Sequence, residues 1–476
     1  MDALVGVDVG TTGVKALAIS LAGEVLARAE EAYPLSTPRP GWSEQDPADW
    51  ARATNAALAG LGVEPRAIGV SGQMHGLVCL DDRGRPLRPA ILWNDQRTAD
   101  ECAEIEARVG RDRLVALTGN AALPGFTAPK LLWLRAHEPG VYTQIAHVLL
   151  PKDYVRLHLT GERATDVSDA SGTLLFDVPG RRWSEEVLAA LELDPSWLPP
   201  ALESPEVSGY AKGGIPVAAG AGDQAAGALG VGVDRVGPLS VVLGTSGVVF
   251  ATLPEFAHDP AGRVHAFCHA VPGAWHAMGV MLSAAGSLSW LRDALVPGSS
   301  YEQLLDEAAR WAPGAEGVSF APYLAGERTP YADPEARAAL VGLSLRHDRG
   351  AVVRAVLEGV AYGMRDSLEL LRQLGVGAES ARISGGGARS GLWVQILASV
   401  LGLPLERTAV QEGAAFGAAL LGGVASGVFA DVHEAVDACV HVHETIGPDG
   451  DWAAAYEAGY ARFRRLYPAL RPLEEP

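Results

Sequence analysis

The sequence predicts an α/β protein of two similar domains, and three observations carry this prediction. The chain has 476 residues, which is enough for two or more domains of roughly 100 to 200 residues each. Short apolar runs of strand length alternate with longer segments of helical periodicity, a pattern typical of layered α/β structure. The segment GTTGV at 10–14 returns as GTSGV at 244–248, and a repeat half a chain later indicates a duplicated domain.

The first half begins with three predicted strands at residues 4–9, 14–21 and 24–32. The connections between them are too short for a crossover, so we expect antiparallel hairpins. Two more strands are predicted at 67–71 and 216–219, and a helix over 223–230 follows the second of them. Residues 76–215, with several aromatic residues and segments bounded by proline, are predicted to form an elaborate insertion.

The second half, like the first, has a predicted strand that leads into a glycine turn. A strand is predicted at 239–243, directly before the second glycine turn. Apolar residues spaced three and four apart from Val353 to Leu371 predict a core helix that ends at Gly375. A strand at 381–384 and a helix that runs to Leu401 complete the pattern. The predicted domains are therefore 1–233 and 234–476.

Charge and composition exclude several classes of partner. The chain carries 57 acidic and 38 basic residues, for a net charge of −19, and no basic cluster that would bind nucleic acid or an anionic membrane. No apolar segment has the length of a membrane helix, and four separated cysteines predict neither disulfides nor a zinc ribbon. Without a secretory signal, we expect a cytoplasmic protein that binds a small molecule. The sequence leaves a homodimer open.

The two glycine turns are candidate phosphate sites. Gly10, Thr11 and Thr12 follow the first strand, and Gly244 and Thr245 follow its counterpart in the second half. Such a turn directs backbone N–H groups and hydroxyls at one point, although a single turn of this kind is as often a plain hairpin. Two matching copies favour a shared phosphate ligand. No lysine follows a glycine, which excludes a Walker A loop, and no stretch keeps the G-x-G-x-x-G spacing.

Two aspartates are further candidates for the site. Asp8 ends the first strand, where its carboxylate is suited to Mg²⁺, directly or through water, or merely caps the turn. Asp223 begins a helix after two glycines, and it is either a helix cap or a catalytic base. We expect the helix N-terminus and backbone donors to keep Asp223 ionised at neutral pH without any tuning by burial.

A candidate sugar site follows the strand at 67–71. His75 lies between Met74 and Gly76 at the carboxyl end of that strand, where open α/β sheets collect ligands, although an ordinary turn histidine fits nearly as well. Trp93 and Asn94 offer a flat face and a polar edge to a sugar, but most tryptophans in such a chain serve packing alone.

These motifs together resemble the FGGY family of carbohydrate kinases. The resemblance spans nearly the whole chain and is carried by DVGTTGVK at 8–15, GD at 222–223, GTSG at 244–247 and GGGA at 385–388. Within the family, four further segments resemble the bacterial xylulokinases, namely WSEQDP at 42–47, SGQMHG at 71–76, LLPKDY at 149–154 and GERTP at 326–330. The resemblance implies a duplicated actin-like ATPase fold of the ribonuclease H-like type, with a cleft between the domains.

The resemblance also implies a role for each candidate residue. Asp223 would be the catalytic base, and Asp8 would serve Mg²⁺. The residues implied for sugar binding are Met74, His75, Trp93, Asn94, Asp223 and Gln224. The residues implied for ATP binding are Gly10, Thr11, Thr12, Lys15, Gly244, Thr245, Gly386, Gly387 and Ala388. Gln224 departs from many relatives, which have Asn at this position, and this puts the sugar preference in doubt.

The function implied by the resemblance is ATP-dependent phosphorylation of D-xylulose at its 5-hydroxyl. A kinase for another ketose, such as ribulose, is the alternative within the class, because a few pocket contacts separate these sugars. An actin-like ATPase that acts as a chaperone or filament subunit is the alternative from another class. The insertion at 76–215, with its candidate sugar site, argues against the chaperone.

Overall fold

The computed structural model describes residues 2–410 and 412–474. Two seven-stranded sheets form the frame of the molecule, one from each half of the chain. Five two-stranded sheets lie between and around them. None of the helices in the described part of the chain combines the length and apolar character needed to cross a bilayer.

The strands and helices up to residue 230 include all seven strands of the first large sheet. The strands are β1 (Ala3–Val9), β2 (Gly13–Ile19), β3 (Val25–Ala32), β4 (Glu44–Gln45), β5 (Pro65–Gly72), β6 (Val78–Leu80), β7 (Ala90–Ile91), β8 (His147–Leu149), β9 (Thr165–Asp166), β10 (Phe176–Asp177), β11 (Arg182–Trp183), β12 (Ala201–Leu202), β13 (Val207–Ala211), β14 (Ile215–Ala218) and β15 (Ala221–Gly222). The helices are α1 (Pro47–Gly60), α2 (Ala99–Val109), α3 (Arg111–Thr118), α4 (Thr127–His137), α5 (Pro139–Tyr142), α6 (Pro151–Thr160), α7 (Val167–Ala170), α8 (Glu185–Leu191) and α9 (Asp223–Gly230).

The elements after residue 237 form the second large sheet and its helices. The strands are β16 (Pro238–Leu243), β17 (Gly247–Leu253), β18 (His265–Cys268), β19 (Trp275–Met281), β20 (Ser319–Ala321), β21 (Ala339–Val341), β22 (Ser380–Ser384), β23 (Leu405–Thr408) and β24 (Val442–Ile446). The helices are α10 (Ala285–Leu295), α11 (Tyr301–Ala309), α12 (Arg349–Gln373), α13 (Gly391–Leu401), α14 (Gly413–Ala425), α15 (Val432–Cys439), α16 (Ala453–Phe463) and α17 (Leu466–Glu474).

The two large sheets have the same internal plan. In the first sheet, β1, β2 and β3 are antiparallel neighbours, and β5 joins β1 in parallel. In the second, β16, β17 and β19 are antiparallel neighbours, and β22 joins β16 in parallel. The predicted hairpins and strands are confirmed, with bounds that differ by one or two residues. The predicted core helix is α12, whose apolar side packs in the largest hydrophobic cluster.

Helix α14 ties the second half of the chain to the first sheet. It packs against β1, β5 and α9, and its backbone comes unusually close to theirs. A Cβ built on Gly6 would lie 1.8 Å from the carbonyl oxygen of Ala415, and one on Gly69 would lie 1.8 Å from that of Ala418. The predicted boundary after residue 233 separates the two large sheets along the chain, but α14 crosses back to the first. The domain bounds stay a prediction.

Substitution of Gly417 tests this backbone contact. An alanine in the middle of a helix ordinarily stabilises it by about 1 kcal/mol relative to glycine. At Gly417 the new Cβ would lie 1.8 Å from the carbonyl oxygen of Ala226 in α9, and overpacking typically costs about 1–3 kcal/mol. We therefore expect Gly417→Ala to lower the free energy of unfolding in urea titrations, against the helix propensity.

Gly227→Ala is the matched control, because Gly227 is also helical and the nearest atom to its Cβ position is 3.9 Å away. It should be neutral or stabilising. A Gly417→Ala protein as stable as the wild type would contradict the close packing of α14 on α9.

Candidate active site

Three strand ends of the first sheet meet at one edge. In the parallel ladders, Asp8 of β1 lies beside Ser71 of β5, and Ala221 of β15 lies on the other side of Ser71. The chain then passes through Gly222 into Asp223, the first residue of α9. Asp8 and Asp223, which are far apart in the sequence, therefore lie close together at the carboxyl edge of the sheet, where α/β sheets bind ligands.

Asp8 is held in place by a hydrogen bond. The Ser71 hydroxyl donates to Asp8 Oδ1 at 2.9 Å. Burial raises the pKa of Asp8, and the Ser71 hydrogen bond and the charge of Lys15 oppose this rise. No cluster of three or more His, Cys, Asp or Glu side chains suited to a metal occurs among the described residues. A cation at Asp8 would therefore need water and ligand oxygens to complete its shell, which is the usual manner of Mg²⁺.

Asp223 has a raised pKa, which corrects the expectation from the sequence. Burial and the neighbouring charge of Asp8 raise the pKa of Asp223 to about 7, although hydrogen bonds from Gln224 oppose the rise. The Gln224 side-chain amide donates to Asp223 Oδ1 at 3.3 Å. The expectation that the helix N-terminus and backbone donors keep Asp223 ionised without tuning by burial is wrong, because desolvation and a like charge outweigh them. The helix cap itself is Gly222, with no side-chain cap bond.

The first glycine turn is held by two glutamines. Its backbone closes with the Gly10 N–H donating to the Gly13 carbonyl at 3.0 Å. The Gln45 amide donates to the Thr11 carbonyl at 2.6 Å, and the Gln73 amide donates to the Gly10 carbonyl at 3.3 Å and to Gln45 Oε1 at 3.0 Å. Sequence reasoning did not assign either glutamine a role, although both lie in segments that carry the family resemblance.

Thr12 and Lys15, both implied for phosphate binding, differ in exposure and in their contacts. Thr12 is exposed at the tip of the turn. The Lys15 ammonium lies 3.2 Å from Glu30 Oε1 and 3.4 Å from Glu412 Oε2, and these carboxylates contribute to the raised pKa of Lys15 although burial opposes it. Lys15 is therefore paired with carboxylates at this edge of the sheet.

His75 is neutral and has a defined tautomer. Its backbone has a φ of 69°, and burial lowers the pKa of its ring to about 3. Its Nδ1 lies 2.6 Å from the Gly172 carbonyl oxygen, which can only accept, so Nδ1 carries the proton and Nε2 is an acceptor. The Lys130 ammonium and the Thr127 hydroxyl donate to the His75 carbonyl at 2.8 and 3.0 Å and fix this unusual backbone.

The remaining sugar candidates divide into accessible and buried groups. The Trp93 indole N–H donates to the Thr11 hydroxyl at 3.0 Å, and 37% of the Trp93 surface is exposed. The Asn94 Oδ1 atom is buried and has no hydrogen-bond partner among the described residues. The Met74 side chain is 4% exposed and packs 2.9 Å from the position of a Cβ on Gly222. Its side chain is thus part of the packing behind the site.

A cavity of about 870 Å³ lies in the second half of the molecule beside the second glycine turn. Four implied ATP residues line it, namely Gly244, Thr245, Gly386 and Gly387. Other lining residues were missed by sequence reasoning because they come from α10, α11 and the start of α13; they include Ser289, Tyr301, Glu302, Leu305, Asp306 and Ser390.

Ala388 differs from the other candidates for this cavity. Its side chain is buried, it is not among the lining residues, and its carbonyl accepts from the Arg407 guanidinium at 2.7 and 3.0 Å.

The second glycine turn is hydrogen-bonded to the start of α10. The Thr245 carbonyl accepts from the Ala284 and Gly286 N–H groups at 2.8 and 3.2 Å.

The raised pKa of Asp223 has a consequence for stability. The unfolded chain loses this proton near pH 3.8, whereas the folded protein keeps it until about pH 7, so the folded state loses stability as the pH rises between these values. We expect Asp223→Asn to remove this loss. In urea titrations at pH 8, the free energy of unfolding of the variant should exceed that of the wild type by roughly 1 kcal/mol or more. Near pH 4 the two free energies should differ little. A gain that did not grow with pH would contradict the raised pKa.

Comparison with known proteins identifies the family. The models of the FGGY family of carbohydrate kinases match this chain over residues 3–230, for the N-terminal domain, and 239–426, for the C-terminal domain. The chain is 44% identical to the xylulose kinase of Escherichia coli strain K12, over 98% of this chain and 99% of the relative. It is 42% identical to the xylulose kinase of Klebsiella pneumoniae, over 98% and 99%.

A solved structure supports the same relationship. The crystal structure of xylulose kinase from Rhodospirillum rubrum superposes with a TM-score of 0.92 at 34% identity, and the match covers 99% of both chains. The matched sequence, the duplicated sheets and the paired glycine turns agree with one another. The chain belongs to the FGGY family of carbohydrate kinases.

Proposed function

We propose that this protein transfers the γ-phosphoryl group of ATP to the 5-hydroxyl of D-xylulose, which yields D-xylulose 5-phosphate and ADP. The observation that carries the proposal is the carboxyl edge of the first sheet, where Asp223 has a pKa of about 7, close to neutral pH, and Asp8 lies beside it. A general base acts best with such a pKa. The near full-length similarity to xylulose kinases supports the choice of sugar.

The first domain would bind the sugar. His75 Nε2 offers an acceptor to one sugar hydroxyl, and the unpartnered Asn94 Oδ1 offers another. The exposed Trp93 ring offers a flat apolar face. Asp223 accepts the proton of the 5-hydroxyl as the new oxygen–phosphorus bond forms and the bond from the γ-phosphorus to the leaving ADP oxygen breaks. The proton then resides on the Asp223 carboxyl until solvent removes it.

ATP would span both domains. The cavity beside Thr245 and Gly386 has the size for an adenosine group, and the turn at 10–13 would face the γ-phosphate from the first domain. Asp8 would hold Mg²⁺, directly or through water, and this ion would neutralise phosphate charge. The buried Asp8 carboxyl beside a second carboxyl fits a cation. A cytoplasmic location and a homodimer stay predictions from the sequence.

The sugar preference is tested with a panel of ketoses in a coupled ADP-release assay. We expect D-xylulose to give the highest kcat/KM, because the SGQMHG segment at 71–76 and its flanking segments resemble those of the xylulose kinases and the whole chain is 44% identical to one of them. D-ribulose is the main competitor, since Gln224 donates to Asp223 beside the reacting hydroxyl and differs from the residue common in relatives. A higher kcat/KM for D-ribulose or a hexulose would overturn the assignment.

The catalytic base is tested by pH dependence and by substitution. The base must be ionised, so kcat/KM should rise with pH and level off above a midpoint near 7. His75 stays neutral over this range, because its pKa is about 3. Asp223→Asn should lower kcat by roughly 10²–10⁴-fold while its melting temperature stays at least that of the wild type. Turnover within about tenfold of the wild type would refute the role of Asp223.

The nucleotide cavity is tested at Gly386. A Cβ on Gly386 meets no atom within 4 Å and Gly386 lines the cavity, so Gly386→Leu should fold and fill part of that space. We expect a rise in the KM for ATP of about tenfold or more, since lost apolar burial and steric conflict each cost on the order of 1 kcal/mol. The KM for the sugar should change little.

Gly377→Leu is the control, because Gly377 also has open space around its Cβ position and is not among the cavity residues. An unchanged KM for ATP in Gly386→Leu would place the adenosine elsewhere.

A further inference from the structure

A cluster of buried ionisable groups lies behind the proposed sugar site. It consists of Lys152, Asp153 and Arg156 from α6 and of Asp166 and Asp169, and none of these side chains has exposed surface. The Lys152 ammonium lies 2.6 Å from Asp153 Oδ1, 2.8 Å from Asp166 Oδ1 and 3.3 Å from Asp169 Oδ2. Neither the phosphoryl transfer nor the two binding sites described above use this cluster.

Stability alone does not account for such a cluster. Burial of charges is costly, and well-packed apolar residues in their place are often as stable or more so. Burial raises the pKa of Asp169 well above its ordinary value, the charge of Lys152 opposes this rise, and the neighbouring carboxylates Asp153 and Asp166 add to it. Unlike an apolar core, such a cluster forms hydrogen bonds and ion pairs with defined directions.

One directional contact leads from the cluster to the catalytic carboxylate. Asp166 Oδ2 accepts the Ser168 hydroxyl at 2.5 Å and the Ser168 backbone N–H at 2.8 Å. The Ser168 oxygen in turn accepts the Gly222 N–H at 3.1 Å. A backbone N–H can only donate, so the hydroxyl proton of Ser168 must point to Asp166. The order of donors and acceptors from Gly222 through Ser168 to Asp166 is therefore unique, and the Lys152 ammonium forms an ion pair with the other oxygen of this carboxylate.

The peptide at the end of this chain of contacts is the one that places Asp223. Gly222 precedes Asp223 and pairs with Gly72 of β5, and Met74 packs against its other side. Lys152 also contacts β5, since its Cβ is 3.2 Å from the position of a Cβ on Gly72. The Gly222 backbone is thus held by the strand, by Met74 and by the Ser168 hydroxyl.

We propose that Ser168 is a positioning residue for phosphoryl transfer, anchored by the buried Lys152–Asp166 pair and acting through the Gly222 peptide on the orientation of Asp223. This inference rests on the proposed function. Ser168 touches neither the sugar nor the nucleotide in the proposed arrangement. Its effect is to keep the Asp223 carboxylate aligned with the hydroxyl that it deprotonates, and alignment of this kind is a large part of catalysis.

Ser168→Ala tests the inference at the contact itself. The substitution leaves the Lys152 cluster its charges and frees the Gly222 N–H, whereas loss of Lys152 would leave buried carboxylates unpaired and unfold the protein. A displacement of about 1 Å at a reacting group can cost about 10²-fold in rate. We expect kcat to fall by about 30-fold or more, with the KM for ATP and for the sugar within about threefold of the wild type.

Ser204→Ala is the matched control. The Ser204 hydroxyl donates to the same Asp166 Oδ2 at 2.9 Å and is equally buried, but among the described residues its side chain has no hydrogen bond to Gly222. Both variants remove one buried hydroxyl from one carboxylate, and Ser168→Ala in addition takes the acceptor from the Gly222 N–H, so its melting temperature should fall somewhat further than that of Ser204→Ala. The kcat of Ser204→Ala should stay within about threefold of the wild type.

The outcomes separate the inference from the proposed function. The assay uses the full chain and the ketose that the wild type prefers; a wild type that phosphorylates no ketose overturns the proposed function before any variant is made. With an active wild type, a Ser168→Ala kcat within about threefold of that of Ser204→Ala overturns the inference. A loss confined to the KM also overturns it. Ser168→Cys, which keeps a weaker donor and acceptor, should give an intermediate kcat, and a kcat no higher than that of Ser168→Ala counts against the hydrogen bond.

Discussion

The contact of helix α14 with the first sheet is the constraint on which the site depends. Gly6, Gly69 and Gly417 lack the side chains that would hold the backbones apart, and each would place a Cβ within 1.8 Å of a facing carbonyl oxygen. The helix therefore lies directly on β1, β5 and α9, the elements that carry Asp8, Ser71 and Asp223. The Ser71 hydroxyl oxygen, whose proton is directed at Asp8, also lies 3.3 Å from the Ala414 carbonyl oxygen. A part of the second half of the chain thus fixes the strand ends of the first.

The same packed region holds two buried carboxyl groups, and this has an electrostatic cost. The two groups lie together in a poorly hydrated place, and the result is a raised pKa at Asp223. A folded protein without function would be more stable with an amide there, as many active sites show. With bound Mg²⁺ and a nucleotide, the same carboxyls would meet positive charge and a hydroxyl proton. In the proposed function, binding of the substrates would therefore relieve a local instability of the free protein.

Much of the fold and part of the site were predictable from local sequence. The strands at 4–9 and 239–243 and the helix over 353–371 have apolar patterns that act within a few residues, and the structure confirms them. The two glycine turns were found because they repeat. The roles of Gln45 and Gln73, which donate hydrogen bonds to the first turn, were not found from the sequence. A glutamine has no distinctive sequence pattern, and only the fold brings these two to the Thr11 and Gly10 carbonyls.

The family, the duplicated α/β plan and the identity of the candidate carboxylates follow from the amino-acid sequence, since turn residues, apolar periods and motif spacing are properties of neighbouring residues. The ionisation of Asp223, the tautomer of His75 and the link from Lys152 through Ser168 to Gly222 were decided by the tertiary structure. Each depends on burial or on an atom from a distant part of the chain. Desolvation and hydrogen-bond direction are properties of the packed molecule, so no local pattern encodes them.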